Sequence, residues 1–206
     1  MGERAISRLG GSFLSCLLHM IPSRSDHLVY EPLGAEHVLP LHASLADARV
    51  YEYIGARSPT VESLTVEFAR RAAGPPPGRS GEQWVNLAVA LASAVGTPTD
   101  VFIGRLEATL HGTWGEVAYL FGPAYWGRGY ATEAMTWFHG MLIELGTREL
   151  WAAVAPSNVR SLALLRRLGY REVSASASIL VSHDPGDVCL RRKFERRVLV
   201  GHLPRL

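Results

Sequence analysis

The chain has 206 residues, 48% of them hydrophobic and 19% charged, with a formal net charge of +2. That length suits one domain with a real core, and the composition is that of a soluble globular protein. So small a net charge gives no case for nucleic acid or an anionic membrane as partner.

Lys193 is the only lysine, and the preference for arginine reads as a coding bias of the source genome. Cys16 and Cys189 are too few and too far apart for a disulfide framework or a metal site. The histidines show no paired metal spacing, so no metal is expected. A reducing cytoplasm is the natural compartment.

In chain order, residues 1–25 come first. Arg4 and Arg8 precede an apolar stretch from Phe13 to Ile21, a loose likeness to a signal peptide. Ser15 and His19 interrupt it, no clean small-residue cleavage site follows, and it is too short to span a membrane. The expectation is a disordered extension, or a chain whose natural start is Met20, ahead of a single domain over 26–206. Residues 27–31 alternate as a strand does, and Pro32 ends them. A helix is expected over 36–46, with Val38, Leu41 and Leu45 on one face. A second is expected over 61–73, capped by Thr60 or Ser58, with Leu64, Phe68 and Ala72 inward. Residues 74–78 form a proline-rich loop that cannot continue it.

Three strands follow, at 84–91, 101–111 and 114–121, the last two joined by the short turn around Gly112. Next comes the clearest helix. Ala134, Trp137, Phe138, Met141, Leu142 and Leu145 make one apolar stripe, and Gly146 stands where a left-handed cap is wanted. Residues 149–155 read as a buried strand. Ser157 or Asn158 caps a further helix that ends at Leu168 and Gly169. Residues 170–177 and 187–194 read as a final strand pair. The order predicts an α/β chain with a mixed sheet, at least one pairing of it parallel through the long helix.

Between the strand ending at Phe121 and the long helix lie Trp126, Gly127, Arg128, Gly129, Tyr130 and Ala131. A helix start offers free N–H groups and the positive end of a macrodipole, and glycine lets a ligand approach the backbone. Such a loop suits a phosphate or pyrophosphate. By itself the pattern marks an anion site or a plain strand-to-helix turn. It lacks the lysine and hydroxyl residue of a P-loop, and the third glycine and downstream acid of a dinucleotide fingerprint.

The stretch from Gly122 to Ala134, the run Pro156-Ser-Asn-Val-Arg-Ser161 and the run Leu165-Arg-Arg-Leu-Gly-Tyr170 resemble the GNAT superfamily of N-acetyltransferases, in particular its RimJ/RimL-type branch. The segment Ala48-Arg-Val-Tyr-Glu-Tyr-Ile-Gly55 also resembles that branch. The likeness spans about residues 26–195. It implies the GNAT acyl-CoA N-acyltransferase fold, an approximately seven-stranded mixed sheet flanked by helices. It also implies acetyl-CoA as cosubstrate, a primary amine (protein N-terminus or small molecule) as acceptor, direct attack in a ternary complex, and a monomer or homodimer. The amides of Gly127, Arg128, Gly129, Tyr130 and Ala131 are then expected to hold the pyrophosphate. Tyr119, Leu120 and Phe121 are expected on the strand that pairs with the pantetheine arm, with an oxyanion donor near Leu120. Trp126 replaces the general family residue as in the branch. Asn158 is implied as a contact of the cofactor arm and Ser161 as the group facing the leaving sulfur. The tyrosine that many relatives carry seven residues after the asparagine is Leu165 here. Glu116 is implied as the base that deprotonates the amine.

Glu133 reads as structural, capping the loop from the first helical turn. The basic run 191–193 with Arg196 and Arg197 reads as a solvated strand end or a local anion contact. The acceptor pocket is expected between the early helices, residues 57–65 and the last hairpin, 178–188, where His183 and Asp184 stand in a polar turn. Two other readings remain at this point: a catalytically silent acyl-CoA-binding module, and a nucleotide-phosphate binder unrelated to CoA.

Overall fold

Strand alternation in the chain resolves into one seven-stranded sheet ordered β1-β2-β3-β4-β5-β7-β6. The computed structural model describes residues 23–79, 81–174, 178, 180 and 183–195. The extension at 1–22, Met20 included, Arg196, Arg197 and the end of the strand expected over 170–177 lie outside them. The strands are β1 (Leu28–Pro32), β2 (Gln83–Ala92), β3 (Pro98–His111), β4 (Trp114–Phe121), β5 (Glu149–Val154), β6 (Arg171–Val173) and β7 (Val188–Lys193). The helices are α1 (Val38–Leu45), α2 (Val61–Ala72), α3 (Tyr130–Glu144) and α4 (Val159–Arg167). Element type and order follow the sequence expectation. No described helix is long and apolar enough to cross a membrane.

Every pairing is antiparallel except β4 with β5. That exception follows from α3, the crossover that returns the chain in the same direction. The parallel ladder is short. Trp114, Gly115 and Glu116 pair with Glu149, Leu150 and Trp151, and then the two strands part. Strand β4 continues over 117–121 and β5 over 152–154 with no pairing between them. The last two strands pair at the sheet edge with their order reversed. β7 inserts between β5 and β6, pairing with both.

Two cores sandwich the sheet. Under α3 and α4, Phe138, Leu142 and Leu165 are fully buried against Leu106, Val117, Phe121 and Leu150. Each such side chain contributes on the order of 1.5–3 kcal/mol by leaving water. The expected stripe of α3 holds, but Met135 and His139 are also buried while Trp137 and Leu145 are only partly so. Under α1 and α2, Leu41, Leu45, Leu64 and Phe68 close the opposite face. Thr60 caps α2 by accepting from the Ser63 N–H.

Candidate active site

The divergence of β4 from β5 is closed at one end by the ladder and opens at the other onto the glycine loop. Gly127 and Gly129 have φ of 73° and 86°, left-handed values that other residues adopt only with strain. A Cβ at either would meet nothing within 4 Å, so the space around both is open. Gly129 is the N-cap of α3 and no side chain caps that end. Among the described residues, no turn or cap acceptor takes the amides of residues 129–131. The loop therefore directs a set of N–H groups, and the positive end of a fifteen-residue helix, into open space. Arg128 is exposed beside them. Trp126 braces the loop: its indole N–H donates to the Phe121 carbonyl at 2.7 Å, and the Arg160 guanidinium lies 4.0 Å from its ring centre.

The open edge of β4 supplies the next set of backbone groups. The Gly122 N–H donates to the Ile103 carbonyl, which fixes the alternation of the β3–β4 ladder. Residues 116, 118 and 120 face β3, and 117, 119 and 121 turn their backbone groups outward. The amide of Leu120 is thus committed to β3 opposite Arg105. The outward donors are its neighbours, Tyr119 and Phe121. The Leu120 side chain packs on the α1–α2 side, with Trp126.

Beneath that edge, on the α3–α4 side, the Tyr119 hydroxyl and Ser161 Oγ are 2.7 Å apart. Burial pushes the Tyr119 phenol up to about 12, with the Ser161 hydrogen bond pulling the other way, so the hydroxyl is protonated near neutral pH. Asn158 Oδ1 accepts the Ser161 N–H at 3.1 Å, which makes it the N-cap of α4 and leaves its NH2 group for other contacts. Leu165 is fully buried in the core.

On the opposite face a cavity of about 330 Å3 lies against the point of divergence. Arg70 and Arg71 of α2, Trp84 of β2, Glu107 of β3, Glu116 of β4 and Leu180 are among its walls, and Ala118, Ala152 and Ala153 are also in its lining. The Glu116 carboxylate is four-fifths buried, 3.3 Å from Nε2 of His111, which itself stacks on Trp114. Residues 57–65, expected as a wall, do not line this cavity; the C-terminal end of α2 does. His183 and Asp184 do not line it either, and the Asp184 N–H is held by the Asp187 carboxylate within its turn.

Behind the cavity stands a charge network that motif reasoning missed. Arg71 contacts Glu67 at 2.8 Å and Glu107 at 2.7 Å. Arg105 contacts Glu67 at 2.9 Å and faces Glu107 at 3.0 Å without hydrogen-bond alignment. The signal was present as charged residues at 105 and 107 alternating with Leu106 and Ala108 on a strand.

Two structural expectations change. Glu133 does not cap its own loop; it accepts from Ser25 Oγ and the His27 N–H, both at 2.7 Å, and so ties the start of β1 to α3. The basic run on β7 is not simply solvated: Arg192 donates to Nδ1 of His139 and Lys193 lies 3.5 Å from Glu149. Among the described residues no group of His, Cys, Asp or Glu could hold a metal ion.

The family model described as an acetyltransferase (GNAT) domain matches residues 27–171. No curated protein sequence matches the chain. Among solved structures, a GNAT-family acetyltransferase from Bacillus anthracis superposes with a TM-score of 0.64 at 17% identity, over 82% of this chain and 96% of that one. An acetyl transferase from Salmonella typhimurium that modifies the N-terminal serine of a 50S ribosomal subunit protein gives 0.64 at 15% identity, over 83% and 97%. A coenzyme A complex of an aminoglycoside acetyltransferase gives 0.58 at 14% identity, over 81% and 94%.

Proposed function

This chain belongs to the GNAT acetyltransferase family, and from that premise we propose that it moves an acetyl group from acetyl-CoA to a primary amine, by direct attack in a ternary complex, as a member of the RimJ/RimL-type branch. The observation that carries the reading is continuity. One open strand edge runs from the amide-lined loop at α3 to the point where β4 leaves β5, and a cavity holding Glu116 meets it there from the other face.

The residues fit the cosubstrate. The amides of Gly127, Arg128, Gly129, Tyr130 and Ala131 bind the pyrophosphate, with Arg128 adding charge from the surface. The outward backbone groups of Tyr119 and Phe121 pair with the amides of the pantetheine arm as an added strand does, and the NH2 group of Asn158 meets that arm from α4. Trp126 holds the loop in register with β4. Acetyl-CoA supplies the activated thioester.

The chain's own groups do the rest. Glu116 takes the proton that the incoming amine must lose, directly or through a water in the cavity. An outward amide of β4 faces the developing oxyanion. Ser161 gives a hydrogen bond to the departing sulfur. No covalent intermediate is formed on the protein. The structural neighbours that act on a protein N-terminus and on an aminoglycoside support an amine acceptor of either kind.

The test is a thiol-release assay with acetyl-CoA across peptides with free N-termini, aminoglycosides, polyamines and amino acids. Saturable release that tracks one amine class, with mass spectrometry showing one added acetyl group, is expected. Binding of CoA without transfer to any member would favour the silent acyl-CoA-binding module instead.

A further inference from the structure

The hydroxyl pair under the open edge of β4 has a directional chemistry. Tyr119 belongs to the strand that diverges from β5, and Ser161 to the first turn of the helix that follows β5, so their hydrogen bond spans the base of the opening. A tyrosine buried to this extent keeps a partner for its hydroxyl. The phenol is the more acidic of the two hydroxyls, so it is the better donor. Ser161 Oγ is then the acceptor. With the Ser161 N–H taken by Asn158, both ends of the residue are fixed.

We propose that Tyr119 is the positioning residue for Ser161: its phenol donates to Ser161 Oγ and turns the serine proton toward the sulfur of bound coenzyme. This rests on the acetyl-CoA reading above. In the transfer step the bond from the amine nitrogen to the carbonyl carbon forms and the C–S bond breaks with its electron pair on sulfur. Sulfur takes the Ser161 proton, Ser161 Oγ takes the Tyr119 proton, and the proton that Glu116 takes from the amine returns to the phenol through water. An aligned chain of hydroxyls also polarises itself, which strengthens the serine as a donor beyond what a lone hydroxyl offers.

Among the described residues, Tyr170, ahead of β6, interacts with Tyr119 and stands beside Arg192 and His139, and Arg160, next to Ser161 in α4, lies over Trp126. Their effect on the bound sulfur is common to the wild type and the hydroxyl variants, so the difference between those proteins isolates the Tyr119–Ser161 pair.

The experiment is calorimetric titration of the full chain with CoA and with acetyl-CoA at pH 7 and at a pH above the thiol's titration. Donors aimed at sulfur favour the thiolate. The affinity ratio of CoA to acetyl-CoA should therefore rise about tenfold with pH in the wild type, one pK unit of thiol stabilisation. Tyr119→Phe and Ser161→Ala should each bring that rise below about threefold, and the double variant should lose no more than Ser161→Ala alone. Loss of packing alone would lower the affinity for both ligands together and leave that rise intact. A Tyr119→Phe protein that keeps the full rise, or a wild type without one, overturns the proposal. A wild type that binds neither CoA nor acetyl-CoA overturns the acetyl-CoA reading itself.

Discussion

The two faces of the sheet solve different problems. The α3–α4 face packs an apolar core around a buried His139, and its loop end is made of backbone: glycine φ angles, an uncapped helix start and an open strand edge. The α1–α2 face is built from side chains, with Arg71, Arg105, Glu67 and Glu107 locked together behind a cavity that holds Glu116. A backbone-made site tolerates much change in side chains while keeping its ligand. A side-chain-made site changes with each substitution. The amide-lined loop and the open strand edge belong to the first face, and the cavity with Glu116 belongs to the second.

Breaking the second face should have the largest effect. Arg105 is nearly buried and serves two carboxylates, so Arg105→Met leaves Glu67 and Glu107 without it and should cost about 3–5 kcal/mol. Urea unfolding measures this; a cost under about 1 kcal/mol would show that the network is not what supports that face. Glu116→Gln sharpens the division between faces. It should lower kcat for acetyl transfer by about a hundredfold or more, while acetyl-CoA binding, made on the other side, is unchanged. Equal loss of binding and turnover would put Glu116 on the cosubstrate side.

The first face carries its own pH dependence. His139 is buried, and desolvation followed by the neighbouring Arg192 lowers its pKa to about 3. Arg192 donates to Nδ1, so the Nε2 proton is the one given to the Tyr170 hydroxyl. The unfolded chain protonates this histidine near pH 6.5, whereas the native state refuses the proton until about pH 3. Stability is thus full above pH 6.5 and falls as pH drops through that window. At pH 5 the loss is about 2 kcal/mol. Denaturant midpoints at pH 7 and pH 5 should differ in the wild type and converge in His139→Gln. The smallest effect is local: Asn158→Ala removes the cap of α4 for about 1 kcal/mol.

The same contrast explains what was legible in the sequence. The period of Ala134, Phe138, Met141 and Leu142 declares α3, and Gly127 and Gly129 declare the loop, because both are local patterns read within one element. The insertion of β7 between β5 and β6 leaves no such mark, nor does the link of Ser25 to Glu133 across 108 positions. The Tyr119–Ser161 contact joins residues 42 apart, one on a strand and one on a helix, and no spacing rule connects them. His139 sits in the sequence between the stripe positions of α3. Only the arrival of Tyr170 and Arg192 from distant segments allows it to be buried. The reach of Arg70 and Arg71 into the cavity is equally silent in the sequence, since it depends on α2 packing with its C-terminal end over β2 and β3.

The central claim is that the glycine loop and the open edge of β4 hold an acyl-CoA. A thermal melt of the full chain with and without the ligand tests it most directly. At a hundred times Kd, acetyl-CoA or CoA should stabilise the fold by about 2.7 kcal/mol, a rise in Tm of about 5–10 °C for a chain of this size. An unchanged Tm with both ligands at saturating concentration would contradict the account.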